Sequence, residues 1–205
     1  MRRGKRIGLL GGTFDPPHLA HLAAAAAARH DLGLDEVWFV PAARPPHKRG
    51  RRLSPAATRL ALLRRALAGV AGFRVLPLEL ARRGPSYTVD TLEELRRRHP
   101  AHEWWLVVGA DMLADLPNWR APRRVVELAA VAAVPRPGTP ARRPRGVPAA
   151  RLRVVDAPAL AISSTELRAR VARGASIRFL VPAAVERYVR RHGLYRTGAR
   201  RSRRG

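Results

Sequence analysis

The stretch GGTFDPPHLAH, Gly11 to His21, decides how the rest of the chain is read. Ahead of it, Ile7 to Leu10 is an apolar run of strand length. Behind it, Leu19 to Arg29 is rich in alanine, the best helix former. A strand therefore passes straight into a helix, and two glycines, two prolines and two histidines occupy the crossover. Glycine permits close backbone approach, and a helix start offers N–H groups without intrahelical partners. His18 and His21, three residues apart in the first turn, share a face and would present two imidazoles to a phosphate there. By itself this spacing also suits capping, core packing or metal ligation. Zinc is disfavoured by the absence of cysteine and of a third ligand close by.

Outward from this junction the alternation repeats. Glu36–Val40 (EVWFV) reads as a second strand, followed by the loop Pro41–Gly50. A helix then runs to Leu67, with Ser54 expected at its N-cap and Pro55 at its first position. Phe73–Leu80 reads as extended, with Pro77 marking an edge or an irregular end. The helix from Val89 to Arg98 carries Glu93 and Arg97 at ion-pair spacing, and Trp104–Val108 (WWLVV) is apolar throughout, as a buried parallel strand would be. A helix over Pro122–Ala129, strands over Val131–Val134 and Arg151–Val155, and a helix over Pro182–Arg191 complete the pattern. The expected fold class is α/β, a doubly wound parallel sheet. Pro135–Pro148 reads as a surface loop. Residues 1–196 read as one domain, and 197–205 as an Arg-rich tail.

A second strand-to-helix junction, ISSTELR, spans Ile162 to Arg168. Ser163 and Glu166 match the capping box S-x-x-E, and Arg168 lies one turn in, where its fork of donors suits phosphate oxygens. In doubly wound sheets such junctions gather outside the carboxyl ends of the strands, where ligands bind.

With 46% hydrophobic residues the 205-residue chain can bury a core, and a disordered polycation is excluded. Its formal charge is +25, but lysine appears only at positions 5 and 48, so 38 of the 40 cationic residues are arginines. They are spread along the chain rather than gathered with aromatics, so nucleic acid is not expected as a partner. No apolar run approaches a membrane span of roughly 18 residues. A cysteine-free chain without a signal segment reads as cytoplasmic.

GGTFDPPHLAH and ISSTELR together resemble the two signatures of the nucleotidyltransferase superfamily. VPAARPPHK, GPSYTVDTL, VVGADM, LPNW, RPG and HGLYR, in that order, narrow the resemblance to the bacterial nicotinate-nucleotide adenylyltransferases, from about Ile7 to Arg196. The resemblance implies a Rossmann-like sheet of nucleotidyltransferase type. It also implies transfer of AMP from ATP to nicotinate mononucleotide, giving deamido-NAD and pyrophosphate, with Mg2+ carried in on ATP and no dedicated metal site. His18, His21 and Arg168 would be the catalytic donors. Gly11, Gly12, Thr13, Gly109, Asp111, Ile162, Ser163, Ser164 and Thr165 would line ATP. Phe14, Lys48, Tyr87, Thr88, Trp119 and Arg136 would hold nicotinate mononucleotide, with Trp119 stacked on the pyridine. The other partners expected are none of nucleic acid or membrane, and a homo-oligomer is left open. One departure stands out: Ala20 replaces the glycine usual in the histidine motif, implying retained activity with an altered ATP affinity.

Overall fold

The computed structural model of the chain describes residues 4–44, 53–82 and 84–196. The elements follow in order: β1 (Arg6–Gly12), α1 (Leu19–Asp31), β2 (Glu36–Pro41), α2 (Ala56–Leu67), β3 (Phe73–Val75), α3 (Thr88–Arg98), β4 (Glu103–Gly109) and α4 (Ala110–Asp115). α5 (Pro122–Leu128), β5 (Ala130–Val134), β6 (Leu152–Val154), α6 (Ser164–Ala172) and α7 (Ala183–Arg191) complete the series.

All six strands are parallel, in the order β3-β2-β1-β4-β5-β6. The order reverses between β1 and β4, which is where a crevice opens in such sheets. Each face of the sheet carries its own apolar cluster. Ile7 and Leu9 of β1 point to one, with Trp38, Trp104, Leu92 and Val125. Leu10 points to the other, with Phe14, Phe39, Ala25 and Leu63. The side-chain period of two in a strand buried on both faces accounts for the continuous apolar runs. A third cluster lies off the sheet, joining α2 to the C-terminal helices through Leu62, Leu167, Val185 and Val189.

Several local expectations are corrected. Pro55, not Ser54, occupies the N-cap of α2, because the Ser54 backbone is engaged elsewhere: its N–H donates to Asp15 and its carbonyl accepts from Arg59. Past Val75 the extended stretch gives way to a single 3-10 turn over Leu78–Ala81, since Pro77 has no N–H for the sheet. Glu93 turns to Arg124 of α5 rather than to Arg97, and the pair spaced by four along α3 is Glu94 with Arg98. α4 was not foreseen. The last strand is shorter than expected, preceded by a 3-10 turn at Ala149–Arg151. Lys48 and the tail 197–205 lie outside the described residues.

Candidate active site

β1 ends at Gly12, and the chain turns through buried Thr13 to Pro17 before α1 begins. Phe14 has φ of 51°, a left-handed conformation costly for an aromatic residue. Its ring is turned inward, edge-on to His21 at 5.0 Å and against Phe39 at 5.8 Å. A Cβ on Gly12 would stand 3.0 Å from that ring, which is why the second glycine of the pair is needed. Phe14 thus supports a histidine from below and has only its backbone to offer a ligand.

His18 is the N-cap of α1, and His21 occupies the third helical position. Their rings lie 3.7 Å apart at 31°. The His18 N–H donates to Nδ1 of His21 at 3.3 Å, and because a backbone N–H can only donate, the His21 ring carries its proton on Nε2. Capping and presentation to the cleft, open alternatives in the sequence, are here combined. Burial, reinforced by the charge of Arg136, pushes the His18 pKa down to about 4, so this imidazole is neutral near pH 7.

A cleft of about 440 Å³ opens outside the carboxyl ends of β1, β4 and β5. His18 and His21 line it, with Gly109 and Asp111 at the end of β4, Arg136 beyond β5, and Ile162 and Ser163 ahead of α6. Arg136 Nη1 lies 3.5 Å from the Asp111 carboxylate. A Cβ on Gly109 would come within 2.6 Å of Asp111 Oδ1 and 3.0 Å of Arg136 Nε. Gly109→Ala should therefore spread this exposed ion pair. With ATP in this cleft, as the motif resemblance implies, the expected result is a KM for ATP raised about three- to tenfold, on the order of 1 kcal/mol, with little change in melting temperature. Steady-state kinetics at varied ATP checks it; an unchanged KM would refute it.

At the second junction the Ser163 hydroxyl accepts from the Glu166 N–H at 3.1 Å, the first half of the expected capping box. Ser164 Oγ donates to the Pro16 carbonyl and Arg168 Nη1 to the Asp15 carbonyl, both at 2.8 Å, while Arg168 Nη2 reaches Thr165 Oγ1 at 3.2 Å. Ser164, Thr165 and Arg168 stitch the second junction onto the first beside the cleft, while Ser163 and Glu166 from the same segment line it. Gly11 is exposed at the end of β1 with open space above it, and Thr13 is buried beside it.

Of the residues expected at the acceptor, Tyr87 is the N-cap of α3, Thr88 is its first residue, and Trp119 closes the turn after α4. Tyr87 and Trp119, both half-buried, pack on the same apolar cluster. The Arg120 guanidinium lies 4.7 Å from the Tyr87 ring and 3.6 Å from Asp90. Ser86 accepts from the N–H groups of Ala43 and Arg44, tying this region to the end of β2. Arg136, expected with them, lines the cleft beside His18 and His21.

Sequence reasoning missed Asp15, Arg59 and Tyr195. Asp15 and Arg59 are buried, at 0% and 2% exposure. The Arg59 guanidinium donates to the carbonyls of Ser54, Thr13, Ala42 and Ala43. Burial lowers its pKa, and the charge of Asp15 partly restores it. One signal was available: Arg59 interrupts an apolar stripe with Leu62, Leu63 and Ala66, where a solvated arginine has no place.

The model of the cytidylyltransferase-like family matches residues 9–170. A protein of Thermus thermophilus named probable nicotinate-nucleotide adenylyltransferase is 49% identical over 93% of this chain and 100% of its own. One of the same name from Exiguobacterium sibiricum is 45% identical over 94% of this chain and its full length. Among solved structures, nicotinic acid mononucleotide adenylyltransferase of Plasmodium falciparum complexed with NaAD superposes with a TM-score of 0.75 at 19% identity, over 93% of this chain and 97% of that one.

Proposed function

The chain belongs to the cytidylyltransferase-like family and, within it, to the nicotinate-nucleotide adenylyltransferases, and from that premise we propose how its residues divide the work. The reaction transfers AMP from ATP to nicotinate mononucleotide, forming deamido-NAD and pyrophosphate. The observation that carries the reading is the neutral, buried His18 stacked on His21 at a helix start, facing Arg136 and Asp111 across the switch point of the sheet.

A phosphate oxygen of the mononucleotide attacks the α-phosphorus of ATP. The bond to the bridging oxygen breaks, and pyrophosphate leaves with the electron pair. A phosphomonoester has its second pKa near about 6 and is already ionised at pH 7, so no general base is required. Catalysis is then positioning and stabilisation of charge at the α-phosphate. Nε2–H of His21 and the neutral His18 ring act as donors of hydrogen bonds, without proton transfer. Arg168 has five N–H donors; two nitrogens reach the protein, and the other N–H groups remain for phosphate oxygens. Gly109, Asp111, Ile162 and Ser163 line the nucleotide's cleft, with Ala20 in its path, and Gly11, Gly12, Thr13, Ser164 and Thr165 build the two junctions beside it. Arg136 stands where the two substrates meet, and Tyr87, Thr88 and Trp119 hold the pyridine end.

Asp111 is engaged by Arg136, and among the described residues no group of three His, Asp or Glu could grip a metal ion. Magnesium would arrive on the phosphates of ATP and, when bound there, would offset negative charge on the leaving pyrophosphate. Among the described residues no helix is long and apolar enough to cross a membrane, and we place the enzyme in the cytoplasm with its nucleotides.

The purified protein, given magnesium and ATP with nicotinate mononucleotide, nicotinamide mononucleotide or phosphopantetheine in parallel, should yield deamido-NAD well ahead of NAD. Products identified by mass decide it. Dephospho-CoA alone would assign a different acceptor, and RNA binding at physiological salt without ATP turnover would remove the enzyme reading.

A further inference from the structure

Asp15 lies between the paired glycines and His18, and each of its three oxygens is taken by a different part of the chain. Oδ2 accepts from the Ser54 N–H ahead of α2 at 3.0 Å, and Oδ1 accepts from the Tyr195 hydroxyl beyond α7 at 2.7 Å. The main-chain carbonyl accepts from Arg168 in α6 at 2.8 Å. Both ends of this arrangement are conformationally costly: Phe14, adjacent to Asp15, and Tyr195 have φ of 51° and 65°. Left-handed backbone at a bulky residue costs about 1–3 kcal/mol and survives only where the surroundings over-determine it. Tyr195 packs on the third apolar cluster with Leu194 and Tyr188, so its hydroxyl is presented by a folded unit. A second tie from that unit reaches the same loop, since the Leu180 carbonyl accepts from Leu19 N–H, the first of α1, at 3.0 Å.

We propose that Tyr195 is a positioning residue for adenylyl transfer, fixing Asp15 so that its carbonyl seats the Arg168 guanidinium against the loop that leads into His18. The inference rests on Arg168 and His18 facing phosphate as described above. The hydroxyl is held in its donor form, because burial and the adjacent carboxylate raise its pKa far above the ordinary tyrosine value. A hydrogen bond to an ionised group is roughly twice as strong as a neutral one, so one hydroxyl suffices to set the carboxylate's orientation. Turning Asp15 turns the peptide that carries the docking carbonyl.

The test is a double-mutant cycle of Tyr195→Phe and Arg168→Ala, read by kcat and both KM values, with hydrogen exchange of the segment Gly12–Leu22. Tyr195→Phe should lower kcat about tenfold with KM for nicotinate mononucleotide unchanged. In the Arg168→Ala background the same change should cost less than about twofold, since residues acting through one another are not additive. Exchange in Gly12–Leu22 should rise in Tyr195→Phe whichever acceptor the enzyme uses, which separates this inference from the assignment of the reaction. Equal losses in both backgrounds, or a lowered melting temperature with kcat retained, would overturn the role of Tyr195. Faster exchange alone, in a protein that makes no deamido-NAD, would keep the coupling and overturn the reaction.

Discussion

His18→Ala lowers kcat by about two to three orders of magnitude, the usual loss when one preorganised donor to a developing oxyanion is removed. The effect falls on kcat rather than on KM for ATP, because the donor matters most where negative charge grows. His18→Gln, which keeps an N–H, recovers part of the loss, as expected of a donor and not of an acid or base. Burst and steady-state pyrophosphate release measure both; a kcat within about threefold of the parent would exclude the assignment. The same residue governs a pH dependence of stability. Its folded pKa of about 4 lies below the ordinary value of 6.5, so the unfolded chain takes up the proton first as pH falls. Stability contributed by neutral His18 is whole above pH 6.5 and is lost between there and pH 4, by up to roughly 3 kcal/mol. In His18→Ala this part of the slope disappears from denaturant titrations run across that window.

The second large effect is on folding. Arg59→Leu removes a buried guanidinium that satisfies four carbonyls and offsets the charge of Asp15. The expected destabilisation is about 3–5 kcal/mol, the range seen when one member of a buried charged arrangement is lost. Leucine keeps an apolar stem but is three heavy atoms smaller, so the loss combines four unsatisfied carbonyls with the space the guanidinium leaves. Adding Asp15→Asn should return part of it, because the uncompensated charge is removed with its partner. Urea unfolding of the three variants tests this, and a loss below about 1 kcal/mol for Arg59→Leu would show that the guanidinium is not holding the loop.

What could be read from the sequence was whatever repeats locally. WWLVV is apolar throughout, and EVWFV is apolar after Glu36, because their sheet is covered on both faces, and the histidines share a face because three residues nearly complete a turn. α4 escaped notice because six residues are too few to display a helical period, although Leu113 is fully buried in it. The N-cap of α2 was misplaced by one residue because the competing claim on Ser54 comes from Asp15, 39 positions earlier. Glu93 was assigned to its neighbour in the helix, whereas α5 brought a second arginine to it in space. The partnership of Asp15 with Tyr195 has no local trace at all, since each residue alone is an ordinary loop position. The motif positions were legible, Ser164 and Arg168 among them; Asp15, Arg59 and Tyr195, which hold the first junction in place, were not.

That contact also sets a schedule. Asp15 is made early and Tyr195 is made 180 positions later. At about 5–20 residues per second, a ribosome needs roughly 10–40 seconds to travel between them. Throughout that interval the nascent chain has its glycine-rich turn but lacks the hydroxyl that fixes Asp15, so the loop's last tie arrives some 180 residues of synthesis after the loop itself.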